Sequence, residues 1–159
     1  MTADKRSPED QAKLVEAITD LFEHKITFNE FLGFKILQLE QKPVQIGFDM
    51  RSELIGHYQH GRLHGGVISS VLDATGGLAV MWAITEYHQG ETAMQTMARF
   101  RNLGTIDLRV DYLRQGIGSR FVAEGEVVRL GRRIASVAMR LENEDGTLIA
   151  TGNATYIVS

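Results

Sequence analysis

Apolar residues recur at two different periods along this chain, and each switch of period marks a new element. Leu14, Ala17, Ile18, Leu21 and Phe22 fall at helical spacing. They follow Ser7-Pro8-Glu9-Asp10, where a serine can cap, a proline suits the first helical position and acids favour the helix dipole. His24-Lys25 falls in the last turn of this helix, and Phe28–Leu32 reads as a further short helical turn stopped at Gly33. From Phe34 the period is two. Val44, Ile46, Phe48 and Met50 alternate with Gln45, Gly47, Asp49 and Arg51, and Phe34–Gln41 is placed to pair with this strand through a Lys42-Pro43 turn. A Gly/His-rich loop, Ser52–Leu63, follows.

From Gly65 to Thr85 the only charge is Asp73, and the run is apolar nearly all round, so it should be an enclosed helix. A central Asp costs about 2.5–3.5 kcal/mol in a bilayer. The run also holds Gly and Ser and has no Lys or Arg close to its far end, so insertion in a membrane is not expected. Beyond it, Ile106, Leu108, Val110 and Tyr112 alternate with Asp107, Arg109 and Asp111. Phe121–Leu130 and Ile134–Glu142 follow, joined by Gly131-Arg132-Arg133, and Thr147–Val158 comes after a Glu144-Asp145-Gly146 turn. The order is helix, two strands, long buried helix, four strands. It predicts one α+β domain over residues 1–159, an antiparallel sheet folded around a central helix. Residues 1–33 form an N-terminal helical extension and 34–159 the core.

Composition narrows the function classes. A chain of 159 residues is too short for two ordinary domains, and 43% hydrophobic with 23% charged residues excludes a disordered class. A net charge of -3 and a pI near 5.9 argue against nucleic acid as partner. With no cysteine, disulfides, thiolate zinc sites and a Cys nucleophile are excluded, and a reducing cytoplasm fits. Met1–Ser7 has no apolar run behind it, so no secretory leader is expected there.

Asp73 is the first candidate for chemistry, because a carboxylate inside an apolar helix must be paired, hydrogen-bonded or neutralised. Two readings stand open: a reactive carboxylate, or a structural group that caps a break at Gly76-Gly77 or bonds a neighbouring hydroxyl such as that of Ser69. Upstream, His57, His60 and His64 are clustered, but histidine is the only ligand type there, and a metal is not expected. Gly65-Gly66 at the helix start can present free N–H groups to an anion, or can be a tight turn only.

The run His64-Gly65-Gly66-Val67-Ile68-Ser69-Ser70-Val71-Leu72-Asp73 resembles the His-Gly-Gly-(six residues)-Asp signature of the hotdog-fold thioesterases. The resemblance is to their PaaI-like branch, and within it to the YigI-like acyl-CoA thioesterases. Thr105–Arg114 is similar to that family's first strand after the helix and Val128–Arg133 to its next hairpin, so the likeness runs from Phe34 to Val158. It implies hydrolysis of an acyl-CoA, of medium or long chain, without metal or organic cofactor. It implies that Asp73 is the nucleophile or general base, that the Gly65 N–H polarises the thioester carbonyl, that His64 positions the thioester or this loop and that Thr105 orients water. A homodimer or dimer of dimers is implied as well, with Asp from one subunit facing the Gly-Gly helix end of the other. One departure is Tyr58, where relatives often carry an Asn. Gly66 is a candidate for substrate binding, and Arg62, Arg132 and Arg133 are candidates for CoA phosphates, which paired cations suit, the last two being alternatively a solvated hairpin tip. Arg109, alternating with two acids, reads as salt-bridged surface.

Tyr87–Leu103 is longer than a plain connection, with Met94, Met97 and Phe100 every third residue. It reads as an amphipathic helix on the core or as a wall for the acyl chain, Met being adaptable to irregular apolar cavities. Two other functions compete: a hydratase or dehydratase on the same fold, and an acyl-CoA-binding module without catalysis.

Overall fold

Ser7 caps the first helix, its Oγ accepting from the Asp10 N–H at 3.1 Å, and α1 runs Pro8–Asp20. The computed structural model describes residues 5–159, so the first four residues of Met1–Ser7 lie outside it. Leu14, Ile18 and Phe22 face inward and are buried. The helix runs on into a wider π-type turn, Leu21–Lys25, before α2 (Thr27–Leu32) stops at Gly33.

The strands are β1 (Lys35–Gln38), β2 (Val44–Asp49), β3 (Ile55–His57), β4 (Arg62–Leu63), β5 (Gly104–Tyr112), β6 (Arg120–Leu130), β7 (Ile134–Asn143) and β8 (Leu148–Ile157). Six of them make one antiparallel sheet in the order β1-β2-β6-β7-β8-β5, which leaves β1 and β5 as its edges. Alternation decides what each strand buries: Ala135, Val137, Met139 and Leu141 of β7 point inward, between exposed or half-buried neighbours. They meet α3 (Gly65–Tyr87), whose Val71, Leu72, Leu78 and Val80 are fully enclosed. Helix and sheet approach closely at Gly125, where a Cβ would lie 3.0 Å from both the backbone oxygen and Cγ2 of Thr75. This is the hotdog arrangement, α+β with a sheet around one helix and an N-terminal helical extension.

By length and apolarity α3 could cross a membrane, but its apolar faces are covered by the sheet instead. Two segments are finer than their sequence pattern suggests. The Ser52–Leu63 loop holds a helical turn, Ser52–Leu54, and the small β3–β4 hairpin. The Tyr87–Leu103 connection holds α4 (Ala93–Arg99), started by a capping box between Thr92 and Gln95, and then the turn Phe100–Asn102.

Candidate active site

The start of α3 is built by His64. Its backbone is extended (φ -64°, ψ 137°), and its Nδ1 accepts the Gly66 N–H at 2.8 Å, so the ring acts as the helix cap. An accepting Nδ1 leaves the proton of the neutral ring on Nε2. The Leu54 carbonyl accepts the His64 N–H at 2.8 Å and fixes how the chain enters the helix. The next N–H, that of Gly65, makes no hydrogen bond among the described residues. It stands at the positive end of the helix dipole, where a developing oxyanion is best received. Tyr112 of β5 covers this corner and donates its hydroxyl to the Gly65 carbonyl at 3.2 Å.

Asp73 lies two turns further along α3. Thr105 of β5 donates to its Oδ1 at 2.8 Å. The Tyr156 hydroxyl of β8 lies 2.7 Å from the Asp73 backbone oxygen and 3.1 Å from Oδ1. Oδ2 carries no hydrogen bond among the described residues, so one oxygen is held and the other is free. Burial, and then the Asp73 charge beside it, push the Tyr156 phenol well above its ordinary range, so it stays a donor at any working pH. Tyr156 reaches this position because residue 76 is glycine: a Cβ there would overlap Oη and lie 2.9 Å from Cζ. Asp73 neither caps a helix break nor bonds Ser69, and the hydroxyls it does bond are those of Thr105 and Tyr156. The helix runs unbroken through Gly76-Gly77, and Ser69 donates to the Gly66 carbonyl instead.

Asp73, Thr105, Tyr156 and Ser70 open on a cleft of about 280 Å³ whose other walls are largely apolar. The remaining candidates lie elsewhere. Arg62 is half-buried on β4, two residues before the cap, and joins no ion pair among the described residues. Arg132 borders a separate cavity of about 370 Å³ at the C-terminal end of α3, shared with Arg99, and Arg133 is exposed beside it on the β6–β7 turn. Met94 is 80% exposed, and Met97 packs on the core from α4; neither lines the Asp73 cleft. His57 and His60 stack on each other at 4.6 Å rather than converging on His64, and Tyr58 stacks on His57 at 5.9 Å. Arg109 pairs with Asp111 at 3.1 Å on the surface.

Sequence reasoning missed Tyr156 and Tyr112. Tyr156 follows Gly152 and Ala154 on the inward face of β8, opposite the Gly76-Gly77 pair of the helix, and a large residue facing small ones was the available signal.

A sheet wrapped on a helix that offers a free N–H at its start and a hydroxyl-held carboxylate two turns later defines a class. The family model for the thioesterase superfamily matches residues 60–150, and the chain belongs to that superfamily. It is 35% identical over 144 residues to the medium/long-chain acyl-CoA thioesterase YigI of Salmonella typhimurium, covering 91% of this chain and 93% of that protein. The YigI of Escherichia coli is similar to the same degree. Among solved structures, a protein from Shewanella oneidensis related to the thioesterase superfamily superposes with a TM-score of 0.88 at 37% identity, over 96% of this chain and 100% of that one. A thioesterase family protein from Silicibacter pomeroyi does so at 0.69 and 26% identity, over 91% and 96%.

Proposed function

We propose that the protein is an acyl-CoA thioesterase acting on medium- or long-chain substrates, and that Asp73 and the Gly65 N–H are its catalytic groups. The observation that carries this reading is the division of labour within Asp73: Oδ1 accepts from Thr105 and shares the Tyr156 proton with the Asp73 backbone oxygen, while Oδ2, beside an apolar cleft, carries no hydrogen bond among the described residues. An ionised carboxylate so placed can take the proton of a water that attacks the thioester carbonyl. It can also add to that carbonyl itself, forming an anhydride that water opens. Either way the C–S bond breaks, the acid is released and the CoA thiolate leaves to be protonated. Thr105, donating to Asp73, keeps lone pairs to hold the water.

Gly65 and Asp73 are eight residues apart on one helix, about 12 Å. A single carbonyl cannot lie about 3 Å from both. The complete site therefore needs a second copy, the Asp73 of one chain facing the Gly65-Gly66 helix start of another. The open sheet edge β5 supports such pairing: it carries Thr105 and Tyr112, and Ile106 on it and Leu113 just past its end are exposed. Arg62, Arg132 and Arg133, without ion pairs among the described residues, are the cations offered to CoA phosphates. A cytoplasmic setting fits the cysteine-free chain.

The hydratase reading requires a His and a carboxylate acting together as base and acid, and His64 spends Nδ1 on the Gly66 N–H, which leaves the neutral ring no free nitrogen to accept a proton. A binding module has no need for a positioned carboxylate. The test is thiol release from a graded series of acyl-CoAs by wild type and Asp73→Asn, which is nearly isosteric. The variant should fold, bind acyl-CoA and lose at least about 100-fold in kcat. Undiminished turnover by the folded variant would overturn the assignment.

A further inference from the structure

The cleft at Asp73 has one wall that the superfamily match, beginning at residue 60, does not reach. Ser70, Asp73, Ala74, Gly77, Leu78 and Met81 recur three or four residues apart and form a single stripe along α3. From Asp73 to Met81 this stripe is about 12 Å long. Its polar groups gather at the Asp73 end, and beyond it the helix side is Leu78 and Met81. Facing the stripe are Phe22 of the π-type turn, Ile26 between that turn and α2, and Phe28 of α2, all in the N-terminal extension.

That segment is tied down on several sides. The Phe22 carbonyl accepts the Asn29 Nδ2 at 3.1 Å, and Asn29 is buried. The Glu23 carboxylate accepts the Ile36 N–H and the Lys35 ammonium, both at 2.9 Å, which joins the turn to β1. Phe34 donates its N–H to the Asn29 carbonyl at 3.0 Å. The wider turn displaces the chain from the α-helical path and, with these ties, holds Phe22 and Ile26 against the cleft. Phe28 differs from its neighbours in the wall. It lines the cleft yet remains 56% exposed, a large apolar surface with no protein partner over much of its ring.

We propose that the N-terminal extension forms the acyl-binding wall of the site, with Phe22 and Ile26 as its fixed part and Phe28 as the side chain that covers the acyl chain and sets its preferred length. The proposal rests on the thioesterase reading and adds where length is selected. An extended alkyl chain advances about 1.3 Å per carbon for C–C bonds near 1.5 Å. The stripe therefore matches about nine carbons beyond the carbonyl. Binding such a chain would remove much of the exposed Phe28 ring and the Leu78–Met81 end from water, and a short acyl group would leave both wet.

The experiment compares kcat/KM for butyryl-, octanoyl-, decanoyl- and lauroyl-CoA in wild type, Phe28→Ala, Ile26→Trp and Phe31→Ala. Phe31 is 63% exposed on the same helix but does not line the cleft. Phe28→Ala should lower the decanoyl-to-butyryl ratio about tenfold, the size expected for losing the ring's contact with the chain. Ile26→Trp, which fills the wall, should shift the preferred substrate toward shorter chains. Phe31→Ala should leave the ratio as in wild type. A wild-type enzyme active on the series, with ratios unmoved in both wall variants, would overturn the wall. Wild type inactive on every acyl-CoA would instead remove the thioesterase reading beneath it.

Discussion

Two adjacent glycines in α3 have opposite relations to the site, and the difference is one side chain wide. At Gly76 a Cβ would overlap the Tyr156 hydroxyl and stand 3.0 Å from Met139 Sδ, both side chains being buried. At Gly77 the nearest atom would be Tyr156 Cε1 at 3.9 Å, an ordinary contact. Helix propensity alone favours alanine at either position by about 1 kcal/mol. Gly77→Ala should therefore raise the melting temperature. Gly76→Ala should lower it, because overpacking of about 1–3 kcal/mol outweighs the propensity gain. It should also reduce kcat, since Tyr156 can no longer hold Asp73. Calorimetry on both variants separates the effects, and equal shifts of the same sign would refute the close approach at residue 76. The pair Gly76-Gly77 was visible in the sequence only as small residues in a helix. What it accommodates sits on β8, about eighty residues later, and no local pattern connects the two.

Strand and helix periods carried most of the architecture, because each element of the core buries one face or is enclosed on all of them. The alternation in Val44–Met50 and in Ile134–Glu142 translated directly into β2 and β7, and the near-uniform apolarity after Gly65 into α3. The π-type turn Leu21–Lys25 was not legible, because its apolar positions also fit an ordinary helix; tertiary ties through Glu23 and Asn29 hold it there. The β3–β4 hairpin pairs only a few residues, of which Leu63 alone is buried, too few to print a period of two. The turn between β7 and β8 was legible as Glu144-Asp145-Gly146, but not its reach. Glu144 accepts the Ser119 N–H and hydroxyl, each at 2.8 Å, and the Arg120 N–H at 3.3 Å, latching this turn to the start of β6. The backbone N–H donors hold its carboxyl down, to about 2. A lowered folded value means that the charged form is favoured by folding. Its contribution is then complete above the ordinary value of 4.5 and is lost as pH falls toward 2. Glu144→Gln should be less stable than wild type in urea at pH 7, and the gap should close between about pH 4.5 and 2. A gap that is constant with pH would show that the carboxylate charge is not what closes the latch.

The separation of Gly65 from Asp73 makes the assembly itself a testable part of the chemistry. His64, immediately before Gly65, has the extended backbone that a following proline requires, and Gly65 is the first helical residue, where proline is well tolerated. A Cβ at this position would meet only the Tyr112 ring, at 3.5 Å or more. Gly65→Pro therefore removes the proposed oxyanion donor while leaving the His64 cap on the Gly66 N–H in place. It should fold and lose about 100- to 1000-fold in kcat, the usual effect of deleting such a donor. Asp73→Asn should be similarly inactive. Paired with each other, the two defects are complementary: the Gly65→Pro chain still brings Asp73, and the Asp73→Asn chain still brings the Gly65 N–H. Mixed dimers isolated through two different tags should then recover about half of wild-type activity, because one of the two sites in a twofold pair is whole. Sites contained within single chains would give no recovery, since every chain in the mixture carries a lesion. That outcome would rule out catalysis across the subunit boundary, whatever oligomer the protein forms.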